Sequence, residues 1–391
     1  MKPNQRVSSI AFSATLALDA RAKELAAEGR DIVNLTAGEP DFDAPTSVRD
    51  AAKASVDSGR VRYTPASGRP SLRDAVAAHL TETRNAPFTR DQITVCHSCK
   101  HAISGALSTL IEPGDEILVP LPAWVSYFEL IKYAGGVPVC VEPAADCAPD
   151  LAALAAAVTP KTRGIMINSP SNPSGVVYSE ADVRAIVKLA EEHDLWILSD
   201  EIYRRLVFNG APAFSPASVS ESARARTIIV DGASKAYAMT GYRIGFLAGP
   251  PEIVSSVARL HSQMTGSPCA VSQDAYESAL REEPAEVETM VAEFAKRADH
   301  VVKGLRALGL EVPAPRGAFY VFPSVAPYLD ERGSAGFCED LLNEKDLALV
   351  PGVAFGLDGH VRLSYATSLD KIDIALGRLG SFLESRVAAR G

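Results

Sequence analysis

Short apolar runs alternate with longer amphipathic segments through the middle of the chain. Each short run is typical of a strand, and each longer segment has apolar residues at helical spacing. Because strands that alternate with helices form crossover units, the pattern predicts an α/β fold with a mainly parallel sheet covered by helices on both faces. The predicted strands are Ile93–Val95, Glu116–Val119, Pro138–Val141, Gly164–Ile167, Leu195–Leu198, Thr227–Val230 and Ile244–Leu247, and the predicted helices are His101–Ile111, Val125–Tyr133, Leu151–Val158, Ala181–His193 and Pro251–Gln263.

The pattern changes after about Pro284. A long helix is predicted there, followed by short strands and a closing helix, which together indicate a separate α+β lobe. The predicted elements of this lobe are the helices Ala285–Leu308 and Lys371–Val387 and the strands Phe319–Phe322, Leu347–Val350 and Val361–Ser364. A predicted N-terminal helix, Ala14–Glu28, is expected to pack with the lobe. We therefore predict a large domain of residues 46–284, a small domain of residues 285–391, and an N-terminal segment, residues 1–45, that joins the small domain.

The charge balance is acidic, since 39 Lys and Arg oppose 48 Asp and Glu and give a net charge of -9. Phosphate backbones and anionic lipid surfaces select basic faces, so this balance argues against a nucleic-acid or membrane-surface partner. No apolar stretch approaches the ~20 residues that span a bilayer, and the polar segment Met1–Ile10 has no signal core. Six cysteines fit reduced thiols better than a disulfide framework. A cytoplasmic location is therefore expected.

A lysine lies just past an apolar strand, at the start of the segment Ser234–Gly245. Lys235 has a hydroxyl residue before it and Arg243 eight residues after it. A lysine amine forms an imine with an aldehyde, and a hydroxyl and a guanidinium fork hold phosphate. The segment therefore indicates a site for a phosphate-bearing aldehyde, and the alternative is a solvated surface lysine.

Two other strand ends carry candidate polar groups. Asp200 and Tyr203 follow the predicted strand Leu195–Leu198, and Asn172 lies in the segment Asn168–Gly175, which two X-Pro steps and a glycine stiffen. Asp200 can pair with a protonated ring nitrogen that accepts electrons, while Tyr203 and Asn172 can contact an oxygen of the same ring. A helix cap at Asp200 and a plain turn at Asn172 are the alternatives. Ligands of such sheets bind at the carboxyl ends of the strands, where these residues lie.

These segments, in this order, resemble the class I aminotransferases of fold type I, and the similarity covers nearly the whole chain. It is closest to the bacterial aspartate and prephenate aminotransferases. The resemblance implies a large domain that binds pyridoxal 5′-phosphate and a smaller α+β domain. Four further segments resemble the family's substrate-carboxylate loop, its segment that crosses the dimer, its ring-stacking segment and its segment with the substrate-binding arginine: Leu35–Phe42, Tyr63–Gly68, Pro122–Tyr127 and Val361–Ala366.

The resemblance also implies roles for single residues, in an enzyme that exchanges amino and keto acids in a ping-pong cycle. The implied catalytic residues are Lys235, as the Schiff-base lysine, Asp200 and Tyr203. The implied cofactor-binding residues are Ser98, Cys99, Lys100, Trp124, Asn172, Asp200, Tyr203, Ser234, Lys235, Arg243 and, from the neighbouring subunit of a homodimer with shared active sites, Tyr63. The implied substrate-binding residues are Gly38, Lys100, Trp124, Asn172 and Arg362.

The implied phosphate turn also contains a C-x-x-C sequence, Cys96-His97-Ser98-Cys99. This spacing alone suggests a redox or zinc site. A closed zinc site needs four ligands, and no second C-x-x-C or H-x3–5-H pair is present outside the turn, so we expect no metal. His101 stands where the family commonly has glutamine, which leaves the backbone N–H groups at the helix start as the expected phosphate ligands.

Lys100 makes aspartate the expected amino donor and 2-oxoglutarate the expected acceptor. A lysine occupies this place in the aspartate-specific bacterial branch that the chain resembles, where it would bind the distal carboxylate. The alternative is that Lys100 binds only the cofactor phosphate. Prephenate or an aromatic acid is the second candidate substrate, although the relatives with prephenate activity have basic residues near the position of Phe12. A C–S lyase on the same fold is a further alternative.

Overall fold

The computed structural model describes residues 1–12 and 14–388, so the last three residues of the predicted 285–391 domain lie outside the described part. Its helices are α1 (Gln5–Ser8), α2 (Ala14–Ala27), α3 (Thr46–Asp57), α4 (Pro70–Arg84), α5 (Cys99–Leu110), α6 (Val125–Ala134), α7 (Leu151–Ala156), α8 (Glu180–Glu192), α9 (Glu221–Ala225), α10 (Ala233–Ala236), α11 (Pro251–Met264), α12 (Ala270–Glu282), α13 (Glu286–Ala307), α14 (Gly333–Lys345) and α15 (Leu369–Ala388). Its strands are β1 (Val33–Asn34), β2 (Ile93–Cys96), β3 (Glu116–Pro120), β4 (Val137–Val141), β5 (Thr162–Asn168), β6 (Trp196–Asp200), β7 (Thr227–Gly232), β8 (Gly245–Ala248), β9 (Tyr320–Val321), β10 (Leu347–Ala348), β11 (Val350–Pro351) and β12 (Val361–Ser364).

The central sheet has seven strands in the order β2-β8-β7-β6-β5-β3-β4. Strands β3 to β7 pair in parallel, whereas β8 runs antiparallel to both β7 and β2. The predicted mainly parallel sheet is therefore confirmed. Successive side chains of a strand point to opposite faces, and both faces are apolar here: Ile117 and Val119 face one helix layer, and Leu118 faces the other.

Helices cover both faces of this sheet. Helices α5, α6 and α11 pack on one face, and α8, α4 and α12 pack on the other. The sheet residues between them are buried, and each fully buried aliphatic side chain stabilises the fold by roughly 1.5–3 kcal/mol. The start of α8 is fixed by a capping box, in which Ser179 and Asp182 exchange side-chain to backbone hydrogen bonds.

The smaller α+β part contains two further sheets. Strands β11, β12 and β9 form an antiparallel sheet, and β1 pairs in parallel with β10. Helices α13 and α15 contribute to the core beside them. The N-terminal segment contacts this part through β1 and through α2, whose Ala22 and Leu25 pack on Leu342 and Ala348.

Several elements differ from those predicted. Helices α3, α4, α12 and α14 were not among the predicted helices, and the predicted strand Leu347–Val350 is two strands, β10 and β11, that belong to different sheets. In α14 the buried residues include Ser334 and Gly336, whose small side chains give a weak hydrophobic pattern. Among the described residues, no helix combines the length and the apolar character needed to cross a membrane.

Candidate active site

A cavity of about 560 Å³ lies at the carboxyl ends of β5, β6 and β7. It brings together residues that are far apart in the sequence, from the N-terminal segment to β12. The predicted site residues that line it are Gly38, Ser98, Cys99, Lys100, Trp124, Asn172, Asp200, Tyr203, Ser234, Lys235, Arg243 and Arg362. Tyr63 is the one predicted site residue that does not line it.

Lys235 enters the cavity from α10, the short helix that directly follows β7. Its Nζ donates a hydrogen bond to the carbonyl oxygen of Gly38. Burial, together with the nearby cations Arg243 and Arg362, lowers the pKa of Lys235 to about 8, although Glu39 acts in the opposite direction. A substantial fraction of this amine is therefore neutral and nucleophilic near pH 8.

Asp200 is the last residue of β6 and is buried in the cavity wall. Its Oδ2 accepts a hydrogen bond from the Tyr127 hydroxyl at 2.6 Å, and its Oδ1 accepts one from the Ile202 amide at 3.1 Å and faces the Cys99 thiol at 3.6 Å. Turns rather than a helix follow β6, so Asp200 does not cap a helix. Burial raises the pKa of Asp200 to about 6 despite these donors. A cationic ring nitrogen beside it would favour the charged carboxylate.

Arg362 lies in β12 and is almost fully buried. One terminal nitrogen donates to Asn172 Oδ1 at 3.0 Å, and the other donates to the Thr36 carbonyl at 2.7 Å. Its Nε has no hydrogen-bond partner among the described residues. The guanidinium has five N–H donors, so three remain for a carboxylate in the cavity.

Two contacts of aromatic residues lie elsewhere in the cavity wall. The Tyr203 hydroxyl lies 3.0 Å from the Tyr320 hydroxyl. On the other side, the Lys100 ammonium lies 4.8 Å from the centroid of the Trp124 ring. A cation over an aromatic face is held there electrostatically, so Lys100 is held at the cavity although its side chain is exposed in the single chain.

The turn between β2 and α5 passes close to β8. A Cβ atom on Gly245 would lie 2.8 Å from the Cys99 nitrogen, so only glycine permits this approach. Ser98 Oγ accepts a hydrogen bond from the His101 amide and caps α5. Ser98, Ser234 and Arg243 all line the cavity. The early N–H groups of α5, the Ser234 hydroxyl and the Arg243 guanidinium are therefore suitable phosphate ligands.

Several cavity residues were not predicted as site residues, chiefly Tyr127, Tyr320, Glu39 and Thr240. Tyr127 lay inside the predicted ring-stacking segment, and its position three residues after Trp124 on a helix was an available signal. Glu39 adjoins Gly38 and accepts a hydrogen bond from Thr240 at 2.9 Å. Tyr320 lies in an apolar strand, where the sequence does not distinguish it from a core residue.

Tyr63 is fully exposed in the single chain. The loop that carries it is held by Gln273 of α12, which donates to Thr64 Oγ1 at 2.8 Å and accepts from the Arg69 amide at 2.7 Å. Gly68 closes this loop with φ +91°, in the left-handed region that favours glycine. The Tyr63 side chain therefore projects from a structured loop.

Known proteins with similar sequences and similar folds are aminotransferases. Residues 30–379 match the family described as aminotransferase class I and II. An aspartate aminotransferase of Bacillus sp. (strain YM-2) is 39% identical over 97% of this chain and 98% of its own length, and an aspartate/prephenate aminotransferase of Thermus thermophilus is 40% identical over the same shares. The solved Thermus thermophilus aspartate aminotransferase with maleate superposes with a TM-score of 0.94 at 40% identity, covering 98% of this chain and all of that one. By its sequence and its fold, the chain belongs to the class I and II aminotransferase family.

Proposed function

We propose that this chain transfers the amino group of L-aspartate to 2-oxoglutarate, using pyridoxal 5′-phosphate bound at Lys235. Of the other cations that line the cavity with Lys235, Lys23 is paired with Asp19 and Arg243 is assigned to the phosphate. The observation that carries the proposal is that Arg362 and Lys100 are left for the substrate. Two cations match the two carboxylates that aspartate and 2-oxoglutarate each contain. The names of the Bacillus and Thermus relatives agree with this substrate class.

The cavity residues fit the proposed cofactor. Lys235 supplies an amine with a lowered pKa for its aldehyde group, and the buried Asp200 supplies a carboxylate for its ring nitrogen. Ser234, Arg243 and the first N–H groups of α5 would hold its phosphate. Tyr203 and Asn172 would contact its phenolic oxygen, and Trp124 would cover its ring. When bound, the cofactor supplies an electron-withdrawing ring that stabilises negative charge on the substrate Cα.

Lys235 would have a second role in the proposed reaction. When its Nζ is free, it would be the base that removes the proton from the substrate Cα. A base with a pKa near the working pH combines a usable neutral fraction with adequate basicity. The contact of Nζ with the Gly38 carbonyl keeps the amine on the side of the cavity that the N-terminal segment forms.

Arg362 orients the substrate for this proton transfer. Its bonds to Asn172 and Thr36 fix the guanidinium, and its remaining N–H groups would bind the α-carboxylate as a fork. A carboxylate held in this way places Cα in a defined position, which makes the proton transfer effectively intramolecular. Lys100 would then bind the distal carboxylate, because its ammonium lies beside Trp124 in the same cavity.

We also propose a homodimer in which Tyr63 reaches the phosphate of the neighbouring site. Two observations support this. Tyr63 is fully exposed on a structured loop, and it is the one implied cofactor ligand outside the cavity of its own chain. Two-fold symmetric dimers are the commonest closed assembly, and their symmetry would complete both sites at once.

A panel of half-reactions tests the proposed substrates. Purified enzyme is mixed with single amino acids, and the absorbance change of the bound cofactor is followed; the resulting form is then mixed with single keto acids. Aspartate should give the highest kcat/KM among the donors and 2-oxoglutarate the highest among the acceptors. A higher value for phenylalanine or prephenate would replace aspartate by an aromatic substrate. Pyruvate release from cysteine conjugates without any keto acid would identify a C–S lyase.

A further inference from the structure

A cluster of nitrogen and sulfur ligands lies behind the phosphate turn, outside the cavity. Cys96 ends β2, His101 lies in the first turn of α5, and His261 comes from α11. One possible ligand atom from each residue lies within 4.8 Å of the other two. The Cys96 sulfur is 3.9 Å from His261 Nδ1, and the rings of His101 and His261 are stacked with their centroids 3.8 Å apart.

The hydrogen bonds inside this cluster are incomplete. His261 is 2% exposed, yet its Nε2 has no hydrogen-bond partner among the described residues. The ring of His97 packs edge-on against His101 and also has a buried Nε2 without a partner in the described chain. Buried polar side-chain atoms normally have a partner, and an atom without one calls for an unseen group nearby. His261 Nε2 itself lies against Gly105, so the ligand atom that this buried ring offers is Nδ1, the nitrogen that faces Cys96.

We propose that Cys96, His101 and His261 form a zinc-binding site with a water molecule as the fourth ligand. Zn²⁺ binds thiolate and imidazole together, and a set of one sulfur and two nitrogens is within its ordinary range. Cys96 gives up its thiol proton to the solvent when the metal binds, because the thiolate is the ligand. The site does not depend on the proposed substrates.

Metal binding requires a small rearrangement. In a tetrahedral zinc site the metal lies about 2.3 Å from sulfur and about 2.0–2.1 Å from nitrogen, which places ligand atoms about 3.3–3.6 Å apart. The Cys96–His261 pair is already close to this distance. The stacked rings must separate so that both planes meet the metal. His101 is the partly exposed member, and its ring is held among the described residues by two long hydrogen bonds, from the His97 amide to Nδ1 at 3.3 Å and between Nε2 and the Thr265 hydroxyl at 3.4 Å, so its ring is the one that turns.

The two cysteines of the C-x-x-C sequence point to different places. The Cys96 sulfur faces His261, whereas the Cys99 sulfur faces Asp200 in the cavity. The sequence motif is therefore not the site. The third ligand comes from a helix 160 or more residues away, which explains why a search for local ligand pairs predicts no metal. A zinc ion here would join β2, α5 and α11 directly behind the turn that carries Ser98.

Equilibrium dialysis of the holoenzyme against Zn²⁺, with elemental analysis, tests the proposal. Wild-type protein should bind one zinc per subunit at this site. Cys96→Ser and His261→Leu should each weaken zinc binding by more than about tenfold. The matched controls are Cys140→Ser and His193→Asn, which change an exposed cysteine and an exposed histidine elsewhere, and they should bind zinc as the wild type does.

X-ray absorption at the zinc edge of the wild-type protein gives an independent test that needs no variant. The spectrum should show one sulfur and two imidazole nitrogens. A spectrum without sulfur, or the absence of stoichiometric zinc in the wild type, would overturn the proposal. Loss of binding in Cys99→Ser together with full binding in His261→Leu would overturn it as well, because the C-x-x-C pair would then be the site.

Discussion

Asp200 combines a position in the cavity wall with an energetic cost. Its folded-state pKa of about 6 lies above the usual value near 3.8, because the carboxyl is buried. A carboxyl with a raised pKa binds more protons in the folded state, so its contribution to stability falls as the pH rises from about 4 to 6 and stays low above that. The cofactor-free protein is therefore destabilised by this carboxylate at neutral pH.

We expect Asp200→Asn to raise the free energy of unfolding of the cofactor-free protein at pH 8 by an amount on the order of 2 kcal/mol. The thermal midpoint should rise accordingly. The difference from wild type should disappear near pH 4, where the wild-type carboxyl is protonated. Turnover should fall far more than substrate affinity, because an amide cannot stabilise a cationic ring nitrogen. Calorimetry at the two pH values and steady-state kinetics measure both effects. An equal midpoint shift at both pH values would contradict the assigned cause.

Lys235 is expected to carry the cofactor covalently. Borohydride reduction followed by tryptic mapping should place the pyridoxyl label on Lys235, because its amine is the lysine nitrogen in the cavity with a strongly lowered pKa. Lys235→Ala should lose the label and nearly all turnover. Lys303→Ala, which changes a lysine of α13 far from the cavity lining, is the control and should keep both. A label on another lysine would refute the assignment.

Lys100 is expected to distinguish acidic from neutral substrates. A charge-assisted hydrogen bond contributes roughly 1.5–3 kcal/mol, so Lys100→Ala should lower kcat/KM for aspartate by roughly 10- to 100-fold. Activity with alanine should fall much less, since alanine has no distal carboxylate. If both substrates lose activity in equal proportion, Lys100 serves the cofactor phosphate.

The candidate site could be predicted from the sequence where a residue stands at a recognisable chain position. Lys235, Asp200 and Asn172 each follow a strand of the central sheet, and such positions converge at one edge. Tyr320 and His261 have no local signal of this kind. Their roles arise from side chains that meet only in three dimensions, so the apolar pattern around each marks it as an ordinary core residue.

At the scale of elements, a buried ion network joins the ends of three of them. Arg84, at the end of α4, donates to Glu201 after β6 at 2.9 Å and to Asp231 of β7 at 2.6 Å. All three residues are buried. Burial alone would raise the pKa of Glu201, but Arg84 and Arg204 outweigh it and hold that pKa below its usual value. The network fixes the strand ends that carry Asp200 and precede Lys235.

Arg84→Met should therefore be strongly destabilising. It leaves two buried carboxylates without their main partner, which costs about 3–5 kcal/mol and should lower the thermal midpoint by roughly 4–6 °C. Arg184→Met is the matched control, since Arg184 is paired with Glu180 on the exposed face of α8 and such pairs contribute about 0–1 kcal/mol. Thermal unfolding of both variants measures the two midpoints. Equal midpoints would mean that the buried network contributes no more to stability than the exposed pair.

The elements that the sequence did not predict share a physical property. Helices α3 and α12 pack against each other through small and polar residues, including the hydrogen bond between Ser55 and Asp274 at 2.6 Å. Alanine and serine interfaces bury little apolar area per residue, so α3 and α12 have a low mean hydropathy compared with α5 and α6, although their few apolar residues do share one face. The large strands and the helices beside them were predicted because they bury branched aliphatic residues.

At the scale of the whole molecule, the position of Tyr63 predicts how two chains cooperate. Tyr63→Ala and Lys235→Ala homodimers should both be nearly inactive. In a mixed dimer, one site would combine the intact Lys235 of one chain with the intact Tyr63 of the other, so about half of the wild-type activity should return. Subunit exchange followed by separation of the mixed dimer measures this. No recovered activity in an isolated mixed dimer would show that each chain uses its own Tyr63.

The fixed position of Arg362 has a consequence for a cycle with two different substrates. An arginine side chain has roughly 2 kcal/mol of rotamer entropy, and here Asn172, Thr36 and the ring of Tyr320 restrain it before any substrate arrives. The ordering therefore accompanies folding, and it is not repeated at each binding event. With the proposed role of Arg362 in binding the α-carboxylate, donor and acceptor would meet the same preorganised guanidinium in turn, and neither half of the cycle would include the ordering of this side chain.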